Sequence, residues 1–429
     1  MTAKVFTHFL IGSYRRKITP RMVNKISNSG SRAAPQCLSI GILAWNEEES
    51  IGQALTCLFR QSLFAHLKER HLRCEILCVA NGCTDRTAAI AKEIFEAQNK
   101  NHPFKETFSG QCIELTERGK VHAWNKFVHE LSAPEAQALC LLDGDIVLHH
   151  PETLWNMYCL LETNAEALIA TDRPLKDLAF KAGRSVRERL SLAMSGMTQA
   201  APAQLTGQLY CIRAAVARNI YLPRDLVACE DGFIKALVCS RFLTEAVSPR
   251  RVALAEDASH IFEAYTRPGD IIRNQKRQIM GQTVVHILID NYLKALPFEE
   301  KLHLAERIRK MEREDPDWLK KLIAAHLARI GYFWRLFPDL LTFRFRRLAQ
   351  LRGGRWLASL PAALAGFVVT LVSGWQAFHS LKSGSTQYWP DTKSPGLRDL
   401  AGKPIHNGNG LVRPSHSAEE TKAAMPDVV

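Results

Sequence analysis

Asp143-Gly144-Asp145 ends the apolar run ALCLL and is followed by a second apolar stretch, IVL. A glycine between two carboxylates lets the backbone turn so that both reach one cation. Carboxylate oxygens suit Mg2+ or Mn2+, and such an ion can bridge a diphosphate and neutralise the charge of a departing group. Acidic surface pairs and helix caps produce the same pattern, so position matters: this one closes a strand that reads as buried. His149-His150 follows closely, but Mg2+ prefers oxygen and the two histidines read as loop residues. Polar residues fall at comparable places after other apolar runs: Asn46 to Glu49, Asn81 to Asp85, and Lys120 at the start of a helical stretch.

For these residues to meet, the elements that carry them must end on one edge. From residue 37 the chain alternates short apolar runs with helical stretches, the pattern of βαβ units around a parallel sheet. Strands are expected at 38–44, 75–80, 112–115 and 138–142, with helices following to residue 60, over 85–98 and over 120–131. In open α/β sheets ligands gather beyond the carboxyl ends of strands, so four such ends build one cleft. The second half is less regular. Helices are expected at 185–199, 230–240 and 268–292, with strands near 205–212 and 243–255. Residues 299–350 read as helical and basic, and the Pro/Gly/Ser-rich tail after 383 as disordered. No GxSxG, HExxH, Walker loop or GxGxxG after the first strand is present, which counts against hydrolase, zinc-protease, kinase-like and dehydrogenase chemistry.

The net charge of +13 would suit nucleic acid if it were spread over the fold. It is concentrated instead. Residues 1–36 carry seven Lys/Arg and no acid, residues 320–355 carry nine against the single Asp339, and residues 37–319 are left with −3. Nucleic acid is therefore not an expected partner. The eleven cysteines form no CxxC pair and read as reduced thiols on the cytosolic side. Residues 357–381 hold no charged side chain over 25 positions, against the ~20 that cross a hydrocarbon core. They read as a transmembrane or re-entrant helix, with Pro361, Thr370 and Ser373 also leaving an interfacial helix open. The basic flank before it places that side in the cytoplasm. The N-terminal apolar patch at 5–11 is short and precedes its basic cluster, unlike a signal peptide.

With these segments assembled, residues 37–290 resemble the family 2 glycosyltransferases of GT-A fold. LSIGILAWNEEESI is similar to the family's first strand and nucleotide-binding turn, which implies that Asn46 and Glu48 lie near base or ribose. CVANGCTDRTAAIA resembles the second nucleotide contact, with Asn81 in the frequent Asp position and Asp85 at the retained Asp. ERGKVHAWN resembles the Gly-Lys-x-x-Ala-x-Asn segment and implies that Lys120 and Asn125 order the donor. LTGQLYCIRAAV is similar to the acceptor-side segment, implicating Gly207 and Gln208. In ACEDGFI the resemblance implies that Asp231 is the general base, with Glu230 beside it; the alternative is that the two only complement a helix dipole. RNQKRQIMG stands where QxxRW and a following Gly are expected: Arg277 and Gly281 match, whereas Asn274 and Gln278 replace Gln and Trp.

The resemblance implies a GT-A domain over 37–295, preceded by the basic segment 1–36. A basic helical region at 296–356, the apolar helix at 357–381 and the tail at 382–429 follow it. It implies an inverting transfer of a sugar from a nucleotide-diphosphate donor, with Mg2+ or Mn2+ held by Asp145 and Asp143. The acceptor would be lipid-linked or a polysaccharide, met among membrane lipids at the cytoplasmic face of the cell inner membrane. Loss of the Trp that stacks on acceptor sugar in polymerising relatives favours a single transfer. Two alternatives stay open: a sugar-phosphate nucleotidyltransferase, against which the acidic AWNEEES turn lacks the needed glycines, and an inactive membrane-tethered scaffold of the same fold.

Overall fold

Four apolar runs form the parallel half of one sheet: β1 (Gln36–Ala44), β2 (Arg73–Asn81), β3 (Phe108–Leu115) and β4 (Ala138–Asp143), in spatial order β3-β2-β1-β4. The computed structural model describes residues 36–180, 204–226, 228–265, 268–336 and 355–384, with isolated positions at 183, 342, 346 and 349. Helices cover both faces of these strands, which is why they read as continuous apolar runs instead of alternating ones. Successive side chains still point to opposite faces. Leu38, Ile40 and Ile42 enter one apolar cluster with Ile76, Cys78, Cys140 and Leu142, whereas Leu43, Leu77, Val79, Leu139 and Leu141 enter the other. The connecting helices are α1 (Ile51–Phe59), α2 (Leu63–Glu69), α3 (Thr87–Asn101) and α4 (Lys120–Lys126), the last running on into a π turn, Phe127–Leu131.

The rest of the sheet, for which the sequence gives no strand direction, is mixed. After β5 (Val147–Leu148) and α5 (Thr153–Thr163) come β6 (Ile169–Lys176), β7 (Leu209–Arg213) and β8 (Val252–Phe262), and the full order is β3-β2-β1-β4-β7-β6-β8-β5. β7 runs antiparallel to β4 and β6, and β5 antiparallel to β8. An apolar run encodes burial but not direction, and β6 carries polar Thr171, Asp172 and Arg173 that mask its strand character. The strands expected near 243–255 resolve into β8 alone. The preceding residues Arg241, Phe242 and Leu243 take left-handed conformations (φ 44, 57 and 64) that turn the chain instead.

Helix α6 (Glu230–Cys239) sits beside the sheet, and α7 (Pro268–Asn291), α8 (Leu304–Glu314), α9 (Trp318–Ile330) and α10 (Arg355–Lys382) follow. α10 packs antiparallel to α7: Gln275 Nε2 donates to Thr370 Oγ1 at 2.7 Å and Ser373 Oγ donates to the Ile272 carbonyl at 3.3 Å. Among the described residues no helix is long and apolar enough to cross a membrane, so the spanning form expected for 357–381 is not met. The polar Thr370 and Ser373 that weaken it as a span are buried against α7. Nearly all of the basic segment 1–36, the expected helix 185–199 and the tail beyond 384 lie outside the described residues. All eleven cysteines are free.

The packing of α7 on the approach to α6 requires Gly281, where a Cβ would lie 2.6 Å from the Ala228 carbonyl oxygen. Gly281→Ala is expected to lower unfolding free energy by about 1–3 kcal/mol, because backbone must shift. Gly52→Ala, whose Cβ would meet only Ile90 Cγ2 at 3.8 Å, should be neutral or stabilising. Denaturant titration of both variants checks this.

Candidate active site

Four chain segments meet at the ammonium of Lys120. Lys120 is the first residue of α4, placed there by Gly119, whose φ of 143 admits the turn. Its Nζ lies 2.7 and 2.9 Å from the two carboxylate oxygens of Asp143 at the end of β4. The same nitrogen donates to the Gly207 carbonyl at 2.9 Å and pairs with Glu230 Oε1 at 3.1 Å. Burial works against the charge on Lys120, but Asp143 and Glu230 outweigh it and hold the proton well above the usual lysine range. Burial likewise opposes ionisation of Glu230, yet Lys120 and Arg277 prevail and keep its pKa low.

The neighbouring acids move the other way. Burial, and then Asp145, push Asp143 up to about 7 even beside Lys120. Burial also raises Asp145, against the pull of Lys120, His260 and Arg277. Asp231, adjacent to Glu230 at the start of α6, rises to about 6 through burial and the Glu230 charge. Its Oδ1 accepts from the Gly232 N–H at 2.7 Å. Asp143, Asp145, Glu230, Asp231, Lys120 and Arg277 therefore share one electrostatic neighbourhood. Gly207 belongs to it for steric reasons: a Cβ there would sit 2.8 Å from Glu230 Oε1 and 3.5 Å from Lys120 Nζ.

The remaining sequence candidates brace the rim. Asn46 Nδ2 donates to Thr84 Oγ1 at 3.1 Å and its Oδ1 accepts from the Thr84 N–H at 2.8 Å. Glu48 Oε2 accepts from the Arg86 N–H, and Asp85 Oδ2 accepts from the Glu48 N–H. Thr87 hydrogen bonds outweigh burial and lower the Asp85 pKa. These contacts clasp the β1–α1 turn to the β2–α3 turn. Asn81 is buried: its Nδ2 donates to the Ala44 carbonyl at 2.7 Å and its Oδ1 accepts from the Gly119 N–H at 2.9 Å. Asn125 lies apart from the cluster, bracketing Leu222 through its N–H at 3.0 Å and its carbonyl at 2.8 Å.

Four participants carry no signal of their own in the sequence. Glu47, between the two selected turn residues, faces the acids and is pushed up to about 8 by burial and Asp145, while Ser50 Oγ donates to it at 2.6 Å. His260 and Asp172 are fully buried behind the cleft, paired at 2.7 Å through Nδ1 and Oδ2, and His260 Nε2 lies 3.3 Å from Gln208 Oε1. The Gln208 carbonyl accepts from the Asp143 N–H at 2.9 Å. Their strands carry no recognisable motif, so only the β6–β8 pairing reveals them. Cys229 holds a left-handed φ of 59 just before α6 and donates to Gln278 Oε1 at 3.3 Å. Gln278 thus packs under the start of α6, in the place where a Trp is expected.

Mutually raised carboxylates mark a site short of positive charge, which fits a hard divalent cation. Lys120 spans both Asp143 oxygens, whereas Asp145 has no ion-pair partner among the described residues. No three His, Cys, Asp or Glu side chains among those residues form a cage for a metal ion. Asp145, assisted by Asp143, could supply only part of a coordination shell, and ligand oxygens would complete it.

Residues 39–213 match the glycosyl transferase family 2 model. The family 2 match spans less than half of the chain and contains most of β1, all of β2 to β4, Lys120, the Asp143–Asp145 pair and Gly207; Glu230, Asp231 and Arg277 lie beyond it. The mixed α/β sheet fits the GT-A architecture. S. aureus TarS 1-349 is similar in structure, at 14% identity and TM-score 0.40 over 83% of this chain and 93% of that one. Mycobacterium tuberculosis glucosyl-3-phosphoglycerate synthase, in complex with Mn2+, UDP-glucose and phosphoglyceric acid, shows 14% identity and TM-score 0.37 over 63% and 86%. No curated protein matches the chain.

Removing the central cation should leave Asp143 without its ion-pair partner and Glu230 with Arg277 alone. Lys120→Met is expected to lower both the melting temperature and nucleotide-diphosphate binding, whereas Lys126→Met, on the exposed Glu130 pair of the same helix, should alter neither. Thermal melts with and without nucleotide decide between them.

Proposed function

We propose that the chain is an inverting glycosyltransferase that moves a sugar from a nucleotide-diphosphate donor to an acceptor hydroxyl. The observation that carries this reading is the Lys120 ammonium joining Asp143 of the Asp-Gly-Asp turn to Glu230 of the Glu-Asp pair, 2.7 and 3.1 Å away. It puts a candidate base next to a cation and an acidic pair suited to a diphosphate. The family 2 match over residues 39–213 supports the donor half.

Asp231 takes the proton of the acceptor hydroxyl as its oxygen attacks the anomeric carbon. A carboxylate raised to about 6 is a stronger base than an ordinary aspartate yet is ionised at neutral pH. The bond from the anomeric carbon to the phosphate oxygen breaks on the opposite side, which inverts the centre. Lys120 and Arg277 face the negative charge that gathers on the leaving nucleoside diphosphate. Asp145, with Asp143, would hold Mg2+ or Mn2+, which would supply positive charge against the diphosphate. Glu230, kept ionised, holds Lys120 in place. Gln278 offers no ring for stacking an acceptor sugar, which supports one transfer per encounter.

The acceptor in this reading is lipid-linked or a polysaccharide, approached at the cytoplasmic face of the inner membrane. The concentration of positive charge in residues 320–355, against a body of −3, supports that placement.

Asp231→Asn and Asp145→Ala should each cut sugar transfer by about 10²-fold or more while leaving the melting temperature near that of the parent. Unchanged turnover in either variant rules out the mechanism, and no turnover in the parent with any uridine- or guanosine-linked sugar, with or without Mn2+, favours the scaffold reading. Because the base works deprotonated, kcat/KM should rise with pH through a midpoint near about 6, and Asp231→Asn should abolish that limb.

A further inference from the structure

α10 presents its faces in the reverse of the usual order. Thr370, Ser373 and Ala377 are buried, together with Phe378 and Leu381. The large apolar residues Leu364, Val368, Leu371, Val372 and Trp375 point outward, between 37% and 57% exposed. Their spacing of 4, 7, 8 and 11 positions from Leu364 confines them to one stripe along the helix. These five are half of the large hydrophobic side chains exposed among the described residues, so the stripe is a concentrated patch. A contiguous apolar patch of this kind marks a surface that something apolar covers.

Charge indicates which surface. The helical turn Phe333–Leu336 contacts α10, and Arg335 within it and Tyr332 just before it are exposed. Arg346 is exposed as well. They belong to the stretch 320–355, with nine basic residues against one acid, while residues 37–319 sum to −3. A second copy of this chain would offer the same basic stretch and repel it; an anionic bilayer offers the opposite charge and an apolar interior together.

We propose that α10 docks in the plane of an anionic lipid leaflet, its outer stripe sunk among the acyl chains and the exposed Arg335 and Arg346 on the headgroups. The helix neither crosses nor re-enters. This deepens the membrane-face reading above and rests on it, but does not depend on the sugar chemistry. Because Gln275 and Ile272 tie α10 to α7, the docked surface belongs to the same packed body as Arg277.

The test uses the full chain and vesicles of phosphatidylcholine with or without phosphatidylglycerol, read by flotation at low and high salt. The parent should float with the anionic vesicles, less so in high salt, and alkaline carbonate should release it from cell membranes. The combined variant Leu364→Ser, Val368→Ser, Leu371→Ser, Trp375→Ser should partition at least about tenfold more weakly with a cooperative thermal melt and parental helix content by circular dichroism, which show that it is folded. A parent that never floats defeats the membrane reading itself. A parent that floats together with an equally bound variant overturns the stripe alone, as does retention in carbonate. Concentration-dependent dimerisation of the parent, abolished in the variant and without vesicle binding, assigns the stripe to a second copy instead.

Discussion

A single lysine ammonium, surrounded by carboxylates and a carbonyl, holds the site in register. Asp143 comes from the end of β4, Gly207 from the approach to β7, Glu230 from the start of α6 and Lys120 itself from α4. Segments up to 110 positions apart thus depend on one charge that burial alone would disfavour. A buried ion pair of this kind adds little net stability but fixes which arrangement is allowed, since any alternative strands an acid without its cation. The glycines around it serve the same geometry. Gly207 leaves room for the Glu230 carboxylate, and Gly144, whose Cβ would lie 3.0 Å from Ala44 Cβ, lets the acidic turn pass over β1.

The parallel half of the sheet is legible in the sequence because burial on both faces writes each strand as an unbroken apolar run and each helix as a following periodic stretch. The turn residues at those strand ends are legible for the same reason. Orientation is less so. β7 looks like its neighbours in composition but runs the other way, and β6 hides behind Asp172 and Arg173, the former buried against His260. Within the site, the spacing of Asp143, Asp145, Glu230 and Asp231 signals chemistry, whereas the choice of Asn46 and Glu48 over Glu47 does not follow from spacing. Three adjacent acids differ only in which way the turn aims them, and that is set by Ser50, Thr84 and Thr87 hydrogen bonds across two loops.

The C-terminal helices extend this dependence outward. Gln275 and Gln278 occupy successive turns of α7, one bonded to Thr370 of α10 and the other receiving Cys229 at the threshold of α6. Cys229 is held left-handed, a conformation that costs a non-glycine residue about 1 kcal/mol or more, so α7 helps fix the angle at which Glu230 and Asp231 enter. Gln278, where the resemblance expects a Trp, is thus engaged in packing at a helix start.

Asn81 bears on how the loops around the proposed donor site are held together. Its amide must donate on one side, to the Ala44 carbonyl, and accept on the other, from the Gly119 N–H. A carboxylate has no hydrogen to give and would turn its charge on the carbonyl oxygen. The polarity of this one side chain therefore ties the mouth of β1 to the loop that launches Lys120. On the neighbouring rim the Arg118 guanidinium lies 3.5 Å from the Trp45 ring centre, so a second, stacked contact joins the same two loops.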